Sequence, residues 1–539
     1  MKKKLLLLIF IFSFVKLVAQ DEDAWVYFND KPSESTFTQA PLTMLTQRAL
    51  DRRTRYNILL DFKDVPVEAS YVLQVKNSTG ITIKARSKWL NALHIQGTET
   101  NINNLLNLSF VSSIDYANKS LNAGAKSVVK QKVTQKSKSL DFQTDFNYGN
   151  ATNQIQMLNG DVLHQNNFTG DGMQIAIIDA GFPNVDNFSA FQRIRDNNQI
   201  LGGYDFVNRN TNFYSGHYHG QAVLSTIAGY IDNQFIGTAP DAKFYLFISE
   251  DAVNETPLEE SLWVEAAERA DSLGVDVINT SLGYTTFDNP NYNHVYADMD
   301  GQTTFISRGA EIAFSRGMIV VNSAGNSGNK SWHYIGAPAD APSVLSIGAV
   351  DAFGDIASFS SFGPTADGRI KPDVCAQGAN VYIINSFGNI ATSDGTSFSS
   401  PVLTGVITCL WQAFQEKSNA EIVQLVKESA HLYSNPTAQE GYGIPNFQTI
   451  YNLLHVDEEE GIIEFSLFPN PTKEYINFKF PMGVSEMEVT VFSLLGKKVR
   501  STIVSENMPR TSISSLSKGL YMVQVKYNNV VKTIKVLKN

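Results

Sequence analysis

"MQIAIIDAG", Met173 to Gly181, is a continuous apolar run that ends on a carboxylate and two small residues. Runs of the same kind follow: "KFYLFI" from Lys243, "VDVINTSLG" from Val275, "MIVVNSAG" from Met318 and "VLSIGAV" from Val344. Segments of helical periodicity, such as "LEESLWVEAAERADSLG" from Leu258, lie between them. Buried strands alternating with helices predict an α/β fold, a mostly parallel sheet covered by helices on both faces. Such sheets bind ligands at the C-terminal ends of their strands, so the residues just after each run come first in a search for chemistry.

Two of those places, and two further stretches that open helical patterns, carry reactive groups. Asp179 closes the first run. "SGHYHGQAVLSTIAG", Ser215 to Gly229, offers His217 and His219 ahead of a helical pattern in Val223, Ile227 and Ile231. "VVNSAGNSG", Val320 to Gly328, leaves Asn326 between glycine-bounded turns. "GTSFSSPVLTG", Gly395 to Gly405, holds Ser397, Ser399 and Ser400 before Pro401. Val402, Val406, Leu410 and Phe414 then recur at helical spacing. Pro401 fits only a first turn, where its missing N–H is not needed, so the helix is expected to begin near Thr396 or Ser397. That puts Ser397 at a helix N-terminus, where free N–H groups favour a developing negative charge. Taken singly, each group also has an ordinary structural role: a helix cap for the serines, a turn for Asp179 and Asn326. Together they meet one chemical requirement. Serine becomes a nucleophile when an imidazole takes its proton, and the imidazole needs a carboxylate to fix its tautomer. Asn326 and the N–H of Ser397 then offer two donors to an oxyanion. Two histidines two residues apart also raise the question of metal, but no cysteine or paired carboxylate completes a site, so no metal is assigned.

Composition bounds the rest. The 539 residues are 43% hydrophobic and 18% charged, enough for about three or four globular domains. With a net charge of −10 and scattered lysines nothing points to nucleic acid, and no such partner is expected. Cys375 and Cys409 are too few for a disulfide scaffold, and the sequence leaves their pairing open. Lys2 to Lys4, the apolar run Leu5 to Val15, and Leu17 and Ala19 before Gln20 spell a signal peptide over residues 1–19. That run is short of the about 20 apolar residues of a membrane span, and no transmembrane anchor is expected. Residues 20–122 read as a small α/β domain with strand-like "WVYF" and "YVLQVK" and helical "NINNLLNL". Residues 123–148 form a lysine- and serine-rich linker, expected to be disordered, and 149–455 form the α/β domain. An acidic break, "HVDEEEG" (456–462 in the domain division), precedes short alternating strands over 463–539, a small β-sandwich with a hairpin turn at Asn528 and Asn529.

"IAIIDAG", "HGQAVLSTIAG", "NTSLG", "SAGNSG" and "GTSFSSPVLTG", in this order, resemble the subtilisin-like serine peptidases over about Gly149 to Leu454. The resemblance implies a catalytic Asp179, His219 and Ser397, with His219 preferred to His217 because Gly220 follows it, and Asn326 as oxyanion donor. It implies that Ser281, Leu282 and Gly283 pair with the backbone of an extended polypeptide substrate. Ser399 and Ser400 become structural. Departures are Gln221, Ala222, Phe398 and Tyr284, the last expected to narrow the cleft. Residues 20–122 resemble the inhibitory propeptides of such enzymes. "FSLFPNPTKEYINF" and "KGLYMVQVKYNNVVKTIKVLK" resemble the sorting domains of the type IX secretion system, implying that machinery as partner and an extracellular or outer-surface location. The implied activity is that of a secreted serine endopeptidase working through an acyl-enzyme. Its rivals are a silent binding or adhesion protein on the same scaffold, and a transpeptidase. No cofactor is required for the chemistry. A structural calcium ion is compatible with the resemblance, but "ADMDGQ", Ala297 to Gln302, is no clear motif for one.

Overall fold

A computed structural model describes residues 20–122, 146–461, 466–480, 484–494, 496–527 and 530–539. The signal peptide and most of the predicted linker lie outside the described residues, as do Asn528 and Asn529. The chain divides into two compact units, Met1–Ile450 and Tyr451–Asn539.

The first unit opens with β1 (Asp21–Phe28), α1 (Gln47–Arg55), α2 (Ala69–Lys76), β2 (Thr82–Ser87), β3 (Ala92–Thr98) and β4 (Val111–Tyr116). The strands make an antiparallel sheet in the order β2-β3-β1-β4, with Val26, Phe28, Leu93 and Ile95 in a core of their own. "YVLQVK", expected as a strand, is helix α2 instead. Its burial explains why: Val75 is buried and Tyr71 and Val72 pack beside it while Leu73 and Gln74 face solvent, a helical stripe and not an alternation.

Parallel strands β5 (Gln174–Asp179), β6 (Ile200–Asp205), β7 (Lys243–Ile248), β8 (Val277–Thr280), β9 (Ile319–Ser323), β10 (Leu345–Val350) and β11 (Val374–Gln377) build the central sheet. Its order is β11-β10-β9-β8-β5-β7-β6, so the "IAIID" strand runs through the interior. Ala176 and Ile178 face a core shared with α4 (Leu258–Leu273) and α5 (Phe305–Ser315). Ile175 and Ile177, of opposite parity, are equally buried. Strands covered on both faces have no polar side to show, which is why they read as unbroken apolar runs. α3 (His219–Ala228) and α6 (Thr396–Ala413) pack on each other, and α6 also lies along β8 to β11. Cys375 and Cys409 are both free and buried.

The small sheet docks on α4 and α5. Trp25 stacks on Phe305 with ring centroids 5.1 Å apart and donates to Ser261 Oγ at 2.8 Å. Glu268 accepts from Ser87 Oγ at 2.6 Å and from the backbone of Trp89 at 3.0 Å. Beneath α1, Arg52, Arg53 and Arg316 share Asp271, Asp64 and Asp61 in an ion network that is buried apart from Asp61.

The acidic run after Leu454, read from sequence as a break, is helical within α7 (Phe447–Gly461). Glutamate is a good helix former, and the turn begun at Phe447 continues through it. The second unit then forms two antiparallel sheets around Ile476, Phe478, Val489, Val491, Val523 and Val525. Tyr527 pairs with Val530 across the expected hairpin position.

Candidate active site

Asp179 is the last residue of β5 and is fully buried. Its Oδ1 accepts from the N–H of Ala180 at 2.7 Å and from His219 Nδ1 at 2.8 Å. Two close backbone approaches deliver the histidine. The segment before it bridges to the strand end, Gly181 pairing with Gly216 and His217 N–H donating to Ala180 O at 2.9 Å. A Cβ on Gly220 would lie 2.8 Å from Asp179 Cβ, so only glycine lets the first turn of α3 settle against the carboxylate. His219 therefore meets Asp179, and His217 stays exposed at the bridge.

The imidazole is 27% exposed over a fully buried carboxylate. Burial pushes His219 down, but the charge of Asp179 and the hydrogen bond to it outweigh that and hold it above the ordinary histidine range. The Phe398 ring lies 6.1 Å away, centroid to centroid.

Ser397 is the second residue of α6, and its hydroxyl donates to the carbonyl of Ser281 at 3.3 Å rather than to His219. Pro401 lies further along the helix than a first-turn reading allows, at its sixth residue. Asn326 is oriented by Thr396, whose N–H and hydroxyl both donate to Asn326 Oδ1 at 2.9 Å. With its oxygen so occupied, the amide presents its Nδ2 donors elsewhere. Ser281, Leu282, Gly283, Asn326 and Ser397 line one cavity of about 140 Å3, together with Thr285, Tyr334 and Gly336. Five of the seven residues singled out from sequence thus line this cavity, and the other two, Asp179 and His219, are hydrogen-bonded to each other. Tyr284 does not narrow it: the side chain is fully buried and its hydroxyl donates to Glu250 at 2.6 Å.

Glu250 belongs to a feature that the sequence reading missed. Glu250, Glu255 and Glu259 bring carboxylate oxygens within 4.8 Å of one another. Burial, then Glu255, pushes Glu250 up to about 8, and burial, then Glu250, pushes Glu259 up to about 9. The signal was present in "SEDAVNETPLEE", an acidic stretch directly after the β7 run, at a strand end of the kind given priority. In the "ADMDGQ" turn Asp300 accepts from the backbone of Gln302 and Thr303, and Asp298 pairs with Lys119.

Residues 170–445 match the subtilase family, residues 23–138 the peptidase S8 propeptide domain of Bacteroidota, and residues 466–539 a secretion system C-terminal sorting domain. The chain belongs to the subtilase family and is a serine endopeptidase made with a propeptide. Its sorting domain directs it through type IX secretion to the cell surface or the extracellular space. Subtilisin NAT of Bacillus subtilis subsp. natto is 29% identical over 299 residues, 54% of this chain and 69% of that protein. The membrane-bound transcription factor site-1 protease of Rattus norvegicus is 28% identical over 311 residues, 56% of this chain and 27% of its own length. Among solved structures, the MycP3 protease from the type VII (ESX-3) secretion system aligns with TM-score 0.44 and 20% identity, covering 56% of this chain and 88% of that one. No helix among the described residues is long and apolar enough to cross a membrane.

Proposed function

We propose that the chain is an exported zymogen whose catalytic domain hydrolyses polypeptides through Asp179, His219 and Ser397. The observation that carries this reading is the 2.8 Å contact of His219 with a fully buried Asp179 at the end of β5, in a fold where Ser397 and Asn326 line one cavity. Substrate lies along Ser281 to Gly283 as an added strand. Its N–H displaces the Ser397 hydroxyl from the Ser281 carbonyl, and a turn about χ1 carries that hydroxyl toward His219. Ser397 Oγ attacks the carbonyl carbon while His219 accepts its proton, and Asp179 stabilises the imidazolium. Asn326 Nδ2 and the Ser397 N–H bind the oxyanion. His219 protonates the leaving amine, and water repeats the sequence on the acyl-enzyme.

No cofactor enters this chemistry, and calcium, if bound, is structural. In domain terms the reading assigns residues 1–19 to a signal, 20–122 to an inhibitory pro-domain, 149–455 to catalysis and 463–539 to sorting. The type IX machinery is the partner of the last segment.

The test compares the parent with Ser397→Ala on an unfolded protein and a fluorophosphonate probe, with mass spectrometry of the labelled peptide and the chain termini. Label on Ser397, substrate fragments and a new N-terminus ahead of the catalytic domain are expected in the parent alone. Asn326→Ala should lower kcat by about 10²–10³, the loss known for this donor in subtilisin itself. Full turnover in that variant would remove the oxyanion assignment.

A further inference from the structure

Helix α6 contains a proline at its sixth residue. A helical carbonyl at position i takes its hydrogen bond from the N–H of residue i+4, and proline has none, so Pro401 deprives the carbonyl of Ser397 of its regular donor. A donor arrives from the opposite wall of the site. Ser281 Oγ donates to Ser397 O at 2.9 Å. Ser281 Oγ itself accepts from Asn279 Nδ2 at 3.4 Å, while Asn279 Oδ1 takes the hydroxyls of Ser400 and Thr404 at 3.2 and 2.9 Å. All four of these side chains are buried, so no bulk water stands ready to replace a lost bond.

We propose that the Ser281 hydroxyl is a positioning group for Ser397: it supplies the hydrogen bond that Pro401 removes and so fixes the nucleophile's own backbone against the end of β8. This rests on Ser397 being the nucleophile. It is separate from the Ser281 carbonyl, a main-chain group that survives any substitution at that position. The proline and the hydroxyl are therefore coupled across the site. Removing the hydroxyl alone strands the Ser397 carbonyl, whereas removing both it and the proline restores the regular helical donor at position 401.

The experiment uses the matured full chain as parent, Ser281→Ala, Pro401→Ala, the double variant and Ser281→Thr. Active sites are counted by fluorophosphonate labelling, and kcat and KM are measured on one peptide substrate. Loss of one buried hydrogen bond beside the reacting atom should lower kcat about tenfold in Ser281→Ala, with KM within about twofold. Ser281→Thr and the double variant should both recover to within about threefold of the parent. If Ser281→Ala fails to mature, the same comparison is made by melting temperature in the Ser397→Ala background, where the double variant must regain what Ser281→Ala loses. Unchanged kcat in Ser281→Ala, or equal losses in the single and double variants, overturns the proposal while leaving the nucleophile in place. A parent that does not label at Ser397 overturns the nucleophile and the positioning role together.

Discussion

The ion network under α1 should respond to the loss of a single cation more strongly than to the loss of a pair. Arg53 is 3% exposed and makes four hydrogen bonds of 2.8 to 3.2 Å, two to Asp64 and two to Asp271, both fully buried. Removing it leaves Asp271 with Arg52 alone, and Asp64 sharing Arg316 with Asp61, so three carboxylates face two guanidiniums. Breaking a buried pair by deleting one partner costs about 3–5 kcal/mol, and the remaining arginines should keep Arg53→Met near the lower end. At about 1.4 kcal/mol per decade this weakens docking of the small sheet by about 10²-fold or more. Arg53→Met with Asp64→Leu removes a cation and an anion together, and should cost less than Arg53→Met alone. Both are compared in the unprocessed Ser397→Ala chain by urea denaturation, followed by the Trp25 environment at the docking surface. A loss below about 1 kcal/mol in Arg53→Met, or a double variant worse than the single one, would refute the reasoning. The network also has a pH signature. Burial raises Asp271, but Arg53 and then Arg52 bring it below the usual carboxylate range, so its contribution is full at neutral pH, begins to fade as pH falls through that usual range, and is gone once acid passes the depressed value.

Two further outcomes follow from other parts of the molecule. Glu250, pushed up to about 8 chiefly by burial, gives the fold a contribution that is full below the ordinary glutamate value of about 4.5, declines as pH rises above it, and is gone once pH passes about 8. Glu250→Gln should therefore flatten the fall in melting temperature between about pH 5 and 8 and leave its slope unchanged above about pH 9; a parallel decline over about pH 5 to 8 in the variant would show that another group is responsible. Gly405→Ala places a Cβ 1.9 Å from Thr238 Oγ1 and 2.9 Å from the Thr238 carbonyl carbon, inside the packing of α6. Overpacking there should cost about 1–3 kcal/mol, read as a lowered melting temperature, and a neutral result would mean that the Thr238 turn yields.

The parts legible in the sequence share a physical reason. β5, β7, β8, β9 and β10 are buried on both sides and so announce themselves as apolar runs, and reactive groups at their ends are conspicuous against that background. Asp179 and Asn326 were visible in this way, while His219 and Ser397 stood out at the starts of helical patterns. Tyr284 was not: its inward course depends on a partner, Glu250, that only the closed fold brings within reach. α2 was misread because a six-residue apolar mixture fits either period until burial shows which face is covered. The Arg53 network joins residues more than two hundred positions apart, and no local pattern records such a pairing. The place of Pro401 was legible only in part: the start of α6 was correctly placed near Thr396, but the orphaned carbonyl and the Ser281 hydroxyl that serves it belong to another strand.

The order of strands in the central sheet also governs when this molecule can become dangerous to its surroundings. β5, which carries Asp179, cannot take its place between β7 and β8 until long stretches of later chain have emerged, and Ser397 arrives only after β11. Contacts of such sequence separation form late, because the chain between them must first be closed into loops. On the proposed triad, a nascent or truncated chain that lacks Ser397 holds the carboxylate, the imidazole and the amide and cuts nothing. Proteolytic competence thus coincides with completion of the sheet, by which time the small N-terminal domain, synthesised first and able to pack a core of its own, is already at hand to sit on the enzyme.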